Sequence, residues 1–133
     1  MIGGYAVAFY GHVRATKDLD VFIRSTKTNA EIVFRAIAEF GAPLGSIEVS
    51  PEDLVDGDVV IQIGVPPRRI DIVLKASGIT FDDAIRESRS LQIEGRSIPV
   101  IGLSSLIANK SALGRLQDLA DVEALTKIAE KPT

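Results

Sequence analysis

The chain has 133 residues, of which 46% are hydrophobic and 25% charged, and this composition predicts one globular domain rather than a disordered chain. Its formal net charge of −3 argues against a protein that coats nucleic acid through bulk electrostatics, although a local basic groove is still compatible with it. Because the sequence has no cysteine, disulfides, thiolate metal sites and a cysteine nucleophile are excluded.

The sequence carries no recognisable membrane or export signal. No apolar run approaches the roughly 20 residues that a membrane span requires. The chain starts with Met1-Ile2 and then two glycines, without the charged segment that opens a signal peptide. We therefore predict a cytoplasmic protein that has no membrane partner.

The first part of the chain alternates helix and strand signals. A short helix is predicted over residues 4–10, with Gly11 as its stop, followed by a strand over residues 19–23. A longer helix begins at Thr28 or Asn29 and runs to Phe40, before Gly41. A short helix then starts near residues 50–53. Periodicity predicts core positions at Phe22, Phe34, Ile37 and Phe40.

The second part contains two hairpins and a helical tail. The first hairpin joins residues 59–63 to residues 70–74 through Gly64 and two prolines, and the second turns at Glu94-Gly95. Between them, Thr80 opens another helix. Residues 103–131 are predicted to be helical, with a break near Gly114. The whole of residues 1–133 is therefore predicted to be a single α+β domain, a small mixed β-sheet with helices packed on it.

Three aspartates lie on predicted strands. Asp18 and Asp20 alternate with apolar residues, so they point the same way about 6.6 Å apart along the backbone. Asp71 lies in the later strand segment RIDIVL. Buried unpaired carboxylates are costly, but they are suitable ligands for Mg²⁺ or Mn²⁺, hard ions that prefer oxygen. We predict that these three residues bind metal.

The alternative is that each acid has an ordinary structural role. Asp18 would then be a turn residue, Asp20 a charge at a strand edge, and Asp71 one half of an ion pair with Arg69. We favour metal binding because the acids come with Gly3-Gly4 upstream. A glycine pair before a helix lets backbone N–H groups approach an anion closely, so we predict a phosphate there.

The stretch GGYAVAFYGHVRATKDLDVFI resembles the signature of the DNA polymerase β-like nucleotidyltransferase superfamily. Two glycines are followed by thirteen residues and then Asp-Leu-Asp-Val, with a third acid on a later strand. This resemblance covers residues 3–74. The tail NKSALGRLQDLADVEAL is more loosely similar to the last helices of small bacterial members, which include AbiEii-like toxins. A helix that usually precedes the glycines is absent here, and many members have Ser where this chain has Gly4.

The resemblance implies a nucleotidyltransferase fold and transfer of a nucleoside monophosphate from an NTP to a hydroxyl, with release of pyrophosphate. Gly3 and Gly4 would contact the triphosphate. Asp18 and Asp20 would bind both metals, and Asp71 would complete the second and accept the proton of the acceptor. The acceptor itself is left open between an RNA 3′ end, a protein and a small molecule. Because the preceding helix is absent, we expect an N-terminally truncated domain that forms a homodimer or pairs with a partner chain.

Further residues are predicted to contribute to the site. Arg14, Thr16 and Lys17 precede the first acid and are candidate contacts for phosphate or acceptor, the alternative being solvated loop residues. Lys110 could neutralise a β- or γ-phosphate, the alternative being a solvated lysine on a helix face. Arg115 and Asp118 are predicted to form an i,i+3 ion pair rather than to take part in catalysis.

Two other functional classes stay open beside the transferase, for which a toxin role is one hypothesis. The first is a non-catalytic nucleotide-binding or interaction module, against which the presence of all three acids argues. The second is a metal-dependent phosphohydrolase, which would normally have a histidine or lysine beside the carboxylates. We rank the phosphohydrolase last.

Overall fold

The computed structural model describes residues 1–41, 50–56 and 60–131. Within these ranges the fold is α+β, as predicted, with five strands and six helices. The elements in chain order are α1 (Gly3–Phe9), β1 (Asp18–Phe22), α2 (Lys27–Phe40), α3 (Asp53–Asp56), β2 (Val60–Ile63), β3 (Arg69–Val73), α4 (Phe81–Arg86), β4 (Arg89–Ile93), β5 (Arg96–Val100), α5 (Leu103–Leu113) and α6 (Leu116–Ala129).

The main sheet has three strands in the order β1-β3-β2. The central strand β3 pairs parallel with β1 and antiparallel with β2, so the sheet is mixed, as the sequence predicts. The parallel register places Asp20 beside Asp71. The hairpin between β2 and β3 is confirmed for the described residues, and Val59, the first residue predicted for it, lies outside them.

The second hairpin, β4 with β5, forms a separate two-stranded sheet. Its turn is made by Glu94 and Gly95, with φ of +50° and +77°, which is the left-handed conformation that two-residue hairpin turns require. The two N-terminal residues connect this hairpin to the main sheet. Met1 exchanges backbone hydrogen bonds with the end of β5, while the Ile2 N–H donates to the carbonyl of Asp20 at 3.0 Å. Ile2 is thus a single bridge residue at the edge of β1.

Two clusters of buried apolar side chains stabilise these layers. The first joins α1, α5 and α6 to the end of β5, and its most buried members are Ala6, Val7, Val100, Leu106 and Leu125. The second lies between α2, α3 and the main sheet and consists of Ile23, Ala30, Ile37, Leu54, Ile61, Ile72 and Leu74. Both clusters include apolar residues of the main sheet, so each packs against the sheet that carries the acids.

Most predicted helices are present, with two corrections in α2. The helix is capped by Thr26, whose side chain accepts the Asn29 N–H at 3.2 Å, so the predicted caps at Thr28 and Asn29 are wrong. Phe40 is also not a core residue, since its side chain is 66% exposed. The buried face of α2 follows Ala30 and Ile37, and the helix ends at Phe40, so its ring has no further turn to pack with.

The remaining helix signals are confirmed. Thr80 forms a reciprocal capping box with Asp83 at the start of α4. Gly114, at φ of +67°, ends α5 and separates it from α6. Across the described ranges, no helix has the length and apolar character needed to cross a membrane.

Candidate metal centre

The three predicted aspartates meet at one place on the main sheet. Asp18 and Asp20 occupy alternate positions on β1, and Asp71 lies beside Asp20 on the parallel strand β3. One carboxylate oxygen from each residue lies within 4.8 Å of the others. Asp71 is buried, while the other two side chains are half-buried. The predicted convergence of the acids is therefore confirmed.

This donor set fits a hard divalent cation. Three carboxylates close together repel one another, and their oxygens are the ligands that Mg²⁺ and Mn²⁺ prefer. The electrostatic cost is greatest at Asp20. Partial burial, followed by the charges of Asp18 and Asp71, raises the pKa of its carboxyl to about 6. A bound cation would remove this repulsion, because it gives the carboxylates an opposite charge to share.

Arg69 already neutralises part of the cluster. Its Nε donates to Asp71 at 2.8 Å, and its Nη2 donates to Asp18 at 2.8 Å and to Asp71 at 3.1 Å. The structural ion pair weighed for Asp71 is therefore present, and it extends to a second acid. No ion pair in the described ranges involves Asp20. A metal at this centre would have to share two of its ligands with a guanidinium.

The glycine pair lies directly against the acids. Gly3 has φ of +72°, and a Cβ built on it would lie 2.9 Å from Cγ of Asp20. A Cβ built on Gly4 would lie 2.7 Å from Oγ1 of Thr16, whose hydroxyl donates to the backbone carbonyl of Asp18 at 3.3 Å. The structure thus brings three predicted phosphate-site residues together beside the carboxylates, and a side chain at position 3 or 4 would overlap Asp20 or Thr16 unless that residue moved.

Lys110 reaches this region from α5 in a way that the sequence did not indicate. Its side chain is 5% exposed, and its Nζ lies 3.1 Å from Oδ1 of Asp118 and 3.2 Å from Oδ2 of Asp121. The alternative of a solvated helix-face lysine is therefore wrong. Its positive charge still extends to the metal centre, where it counteracts the rise in the pKa of Asp20.

Asp121 is the functional candidate that sequence reasoning missed. Its carboxylate is fully buried and accepts two hydrogen bonds from Arg14, at 2.8 Å from Nε and 2.7 Å from Nη2. Gln117 donates a further bond at 3.2 Å. The available signal was spacing, since Asp118, Asp121 and Leu125 share one face of α6 and all three are buried.

Asp118 and Asp121 hold three cations near the glycine turn. Arg115 pairs with Asp118 at 2.6 Å, as predicted, while its own side chain is 71% exposed. Burial disfavours both carboxylate anions, but hydrogen bonds from Arg115 and Lys110 to Asp118, and from Arg14 and Lys110 to Asp121, outweigh it and lower the pKa of each. Three cations against two anions leave one positive charge in this cluster.

A second concave feature lies on the opposite face of β1. It is an apolar groove of about 760 Å³, lined by Leu19 and Val21 of that strand together with side chains of α1, α4 and the β4–β5 hairpin. No charged side chain among the described residues lines it. The groove offers no acid–base or metal chemistry, so the carboxylate face is the candidate site.

Comparison with known proteins leaves the site geometry as the main guide. No family model matches this chain. No curated protein matches it either. The resemblance to nucleotidyltransferases therefore stays a prediction from the residues quoted above.

Proposed function

We propose that this protein is a metal-dependent nucleotidyltransferase of the polymerase β-like class, which transfers a nucleoside monophosphate from an NTP to a hydroxyl acceptor. The observation that carries the proposal is the contact between the three carboxylates and the Gly3-Gly4 pair. Three convergent carboxylates, suited to metal, lie against a glycine pair at which an added Cβ would overlap Asp20 or Thr16. A metal-bound nucleoside triphosphate is the ligand whose metal would suit the carboxylates and whose phosphates would suit the glycine pair.

Metal binding, triphosphate binding and proton transfer would fall to different residues. Asp18, Asp20 and Asp71 would hold Mg²⁺ or Mn²⁺, which supplies charge neutralisation to the attacking and leaving oxygens when bound. The backbone of Gly3 and Gly4 would receive the triphosphate. Asp71, the most buried of the acids, would accept the proton of the acceptor hydroxyl.

Two supporting residues would tune the site. Thr16 lies beside Gly4, where its hydroxyl could bond a phosphate oxygen. Lys110 is bonded to two buried carboxylates, so we assign to it long-range neutralisation of the metal centre and of the phosphates rather than a first contact. The acceptor remains open between an RNA 3′ end, a protein and a small molecule, as does a toxin role.

One observation favours a second candidate, a non-catalytic module that keeps the carboxylates for structural reasons. Arg69 binds two of the three acids and so neutralises much of the cluster without any ion. On this hypothesis the acids form an ion-pair network that stabilises the sheet, and neither metal nor nucleotide would bind.

The two candidates are separated by thermal unfolding with ATP, CTP, GTP and UTP, each with Mg²⁺. Ligand at about 100 times its dissociation constant stabilises the folded state by roughly 2.7 kcal/mol, a shift of a few degrees for a domain of this size. We expect a shift that requires both metal and nucleotide and is lost in Asp20→Asn.

The matched control is Asp82→Asn, which removes a carboxylate that is 70% exposed on α4 and that, among the described residues, pairs only with Arg24 at the surface. This variant should keep the full ligand-dependent shift. A wild-type protein that melts cooperatively but shows no shift with any nucleotide would instead support the structural ion-pair network.

A further inference from the structure

We propose that Asp121 is a positioning residue for the phosphate site and that it acts through Arg14, which it holds against Gly4 as a direct phosphate ligand. This inference rests on the proposed function. It adds a contact residue from the loop before β1 and a support from α6, more than a hundred positions away in the sequence.

Arg14 lies at the glycine turn. Its Nη1 would be 3.3 Å from a Cβ built on Gly4, so the guanidinium packs directly on that residue. The side chain is 19% exposed, which leaves it accessible from the solvent side of the turn. A guanidinium beside closely approachable backbone N–H groups is an arrangement suited to phosphate oxygens.

Arg14 also keeps donors available for a ligand. Nε and Nη2 each donate to Asp121, and Nη1 donates to the carbonyl of Ala15 at 3.0 Å. A guanidinium has five N–H groups, so these three hydrogen bonds leave two that could bind an anion. The bidentate pair fixes the plane of the guanidinium and therefore the direction of the remaining donors.

Asp121 is rigidly placed for this task. Its carboxylate is fully buried on α6 and is bonded to Lys110 and Gln117 as well as to Arg14. One carboxylate therefore joins α5, α6 and the loop that precedes the metal-binding strand. Removing its charge should leave Arg14 without a fixed orientation, while the three metal-binding acids remain on their own sheet.

The test separates metal binding from phosphate binding. Mn²⁺ binding is measured by electron paramagnetic resonance on the full chain, first with Mn²⁺ alone and then with inorganic triphosphate, a probe that does not depend on the nucleobase. The variants are Asp121→Asn, Arg14→Met, Arg14→Lys and the double variant Arg14→Met/Asp121→Asn. Arg86→Met is the control, since that arginine is 70% exposed and, within the described part of the chain, pairs only with Asp83 at 3.4 Å.

We expect Asp121→Asn and Arg14→Met each to weaken triphosphate binding about tenfold, the size of one charge-assisted contact. Arg14→Lys should be almost as weak, because lysine lacks the planar fork that Asp121 orients. The double variant should be no weaker than Arg14→Met alone, because Asp121 acts only through Arg14. Binding of Mn²⁺ alone should stay within about twofold in all of them.

Two results overturn the inference, and they are distinguishable. If the wild-type protein binds triphosphate and Arg14→Met binds it equally well, Arg14 is not a ligand and the inference fails while the proposed function stands. If the wild-type protein binds neither triphosphate nor any NTP, both fail. Should Asp121→Asn not fold, the Arg14 variants decide alone, since their side chain is partly exposed.

Discussion

Gly3 and Asp20 are in direct contact, and no other residue fits at position 3 unless the carboxylate moves. The glycine has φ of +72°, and its missing side chain is replaced by the Asp20 carboxyl group, with Cγ 2.9 Å from the position that a Cβ would take. The N-terminal turn and the metal centre therefore share one surface. A change in the turn should be measured as a change in metal binding.

We expect Gly3→Ala to abolish Mn²⁺ binding and to lower the free energy of unfolding by more than backbone strain alone explains. The matched control is Gly95→Ala, which has φ of +77° and nothing within 4 Å of its added Cβ. Left-handed strain should cost each variant about 1–2 kcal/mol, and steric overlap should add about 1–3 kcal/mol at Gly3. Urea unfolding and Mn²⁺ titration measure the two effects.

Equal losses of stability in the two alanine variants, with Mn²⁺ binding intact in both, would show that Asp20 can move aside without consequence. The close contact would then be incidental to the metal centre.

In metal-free buffer, we expect the protein to become more stable as the pH falls from above 6 to about 4. The pKa of Asp20 is about 6 in the folded protein and 3.8 in the unfolded chain, so the folded state binds more protons in this interval. The gain should be about 1 kcal/mol, less than the full shift implies, because the side chain is partly exposed. Asp20→Asn should remove this component.

The measurement is urea unfolding of both proteins in EDTA at several pH values. Below 3.8 the trend should reverse, because the pKa values of Asp118 and Asp121 are lowered by their cationic partners and protonation of these residues then favours unfolding. A difference between wild type and Asp20→Asn that does not change between pH 4 and 7 would contradict the assignment.

Arg69 and a bound metal ion compete for the same carboxylates. We therefore expect Arg69→Met to melt at a lower temperature than wild type in EDTA and to gain more from added Mn²⁺. Loss of one positive charge near the centre should tighten Mn²⁺ binding about thirtyfold, because a unit charge and a divalent ion about 4 Å apart repel each other by about 2 kcal/mol in water. Isothermal titration and thermal unfolding measure these quantities.

Arg24→Met is the control, since that guanidinium pairs with the exposed Asp82 at 2.9 Å and lies over the ring of Phe81, away from the three acids. It should leave Mn²⁺ affinity unchanged. If Arg69→Met destabilises the protein in EDTA and no metal rescues it, the acids belong to a structural ion-pair network.

The local parts of the site could be predicted from sequence, because they depend on short-range rules. Alternation along a strand puts Asp18 and Asp20 on one face, and a glycine pair indicates a close backbone approach. Even the alternative ion pair of Asp71 with Arg69 follows from i,i+2 spacing on a strand. These predictions need only the period of the strand and the chemistry of each residue.

The long-range parts could not be predicted in the same way. That Arg14 meets Asp121 depends on how α6 packs against the first loop, and no local pattern specifies this packing. The burial of Lys110 could not be predicted for the same reason, because its helix also carries exposed polar residues and a neighbouring helix decides whether one lysine is buried. The only sequence signal for this packing is the spacing of Asp118 and Asp121, which places both charged residues on the face of α6 that carries the buried Leu125.

Lys110 is the buried cation on which the cluster of Asp118 and Asp121 depends, and we expect Lys110→Met to lower the free energy of unfolding by about 3–5 kcal/mol. The side chain is 5% exposed between two carboxylates that are essentially fully buried, so its removal takes one charge-assisted contact from each and leaves Asp118 with Arg115 and Asp121 with Arg14. Lys127→Met is the control, since its pair with Glu123, also at 3.2 Å, is about 70% exposed and should contribute less than about 1 kcal/mol.

A double variant shows whether the loss of stability in Lys110→Met is caused by the loss of its charge. If the loss arises from the lost Lys110–carboxylate contacts, Lys110→Met/Asp118→Asn should be less destabilised than the two single variants added together, with a coupling of about 0.5–3 kcal/mol. Strict additivity in urea unfolding would mean that Lys110 stabilises the helix pair by packing alone.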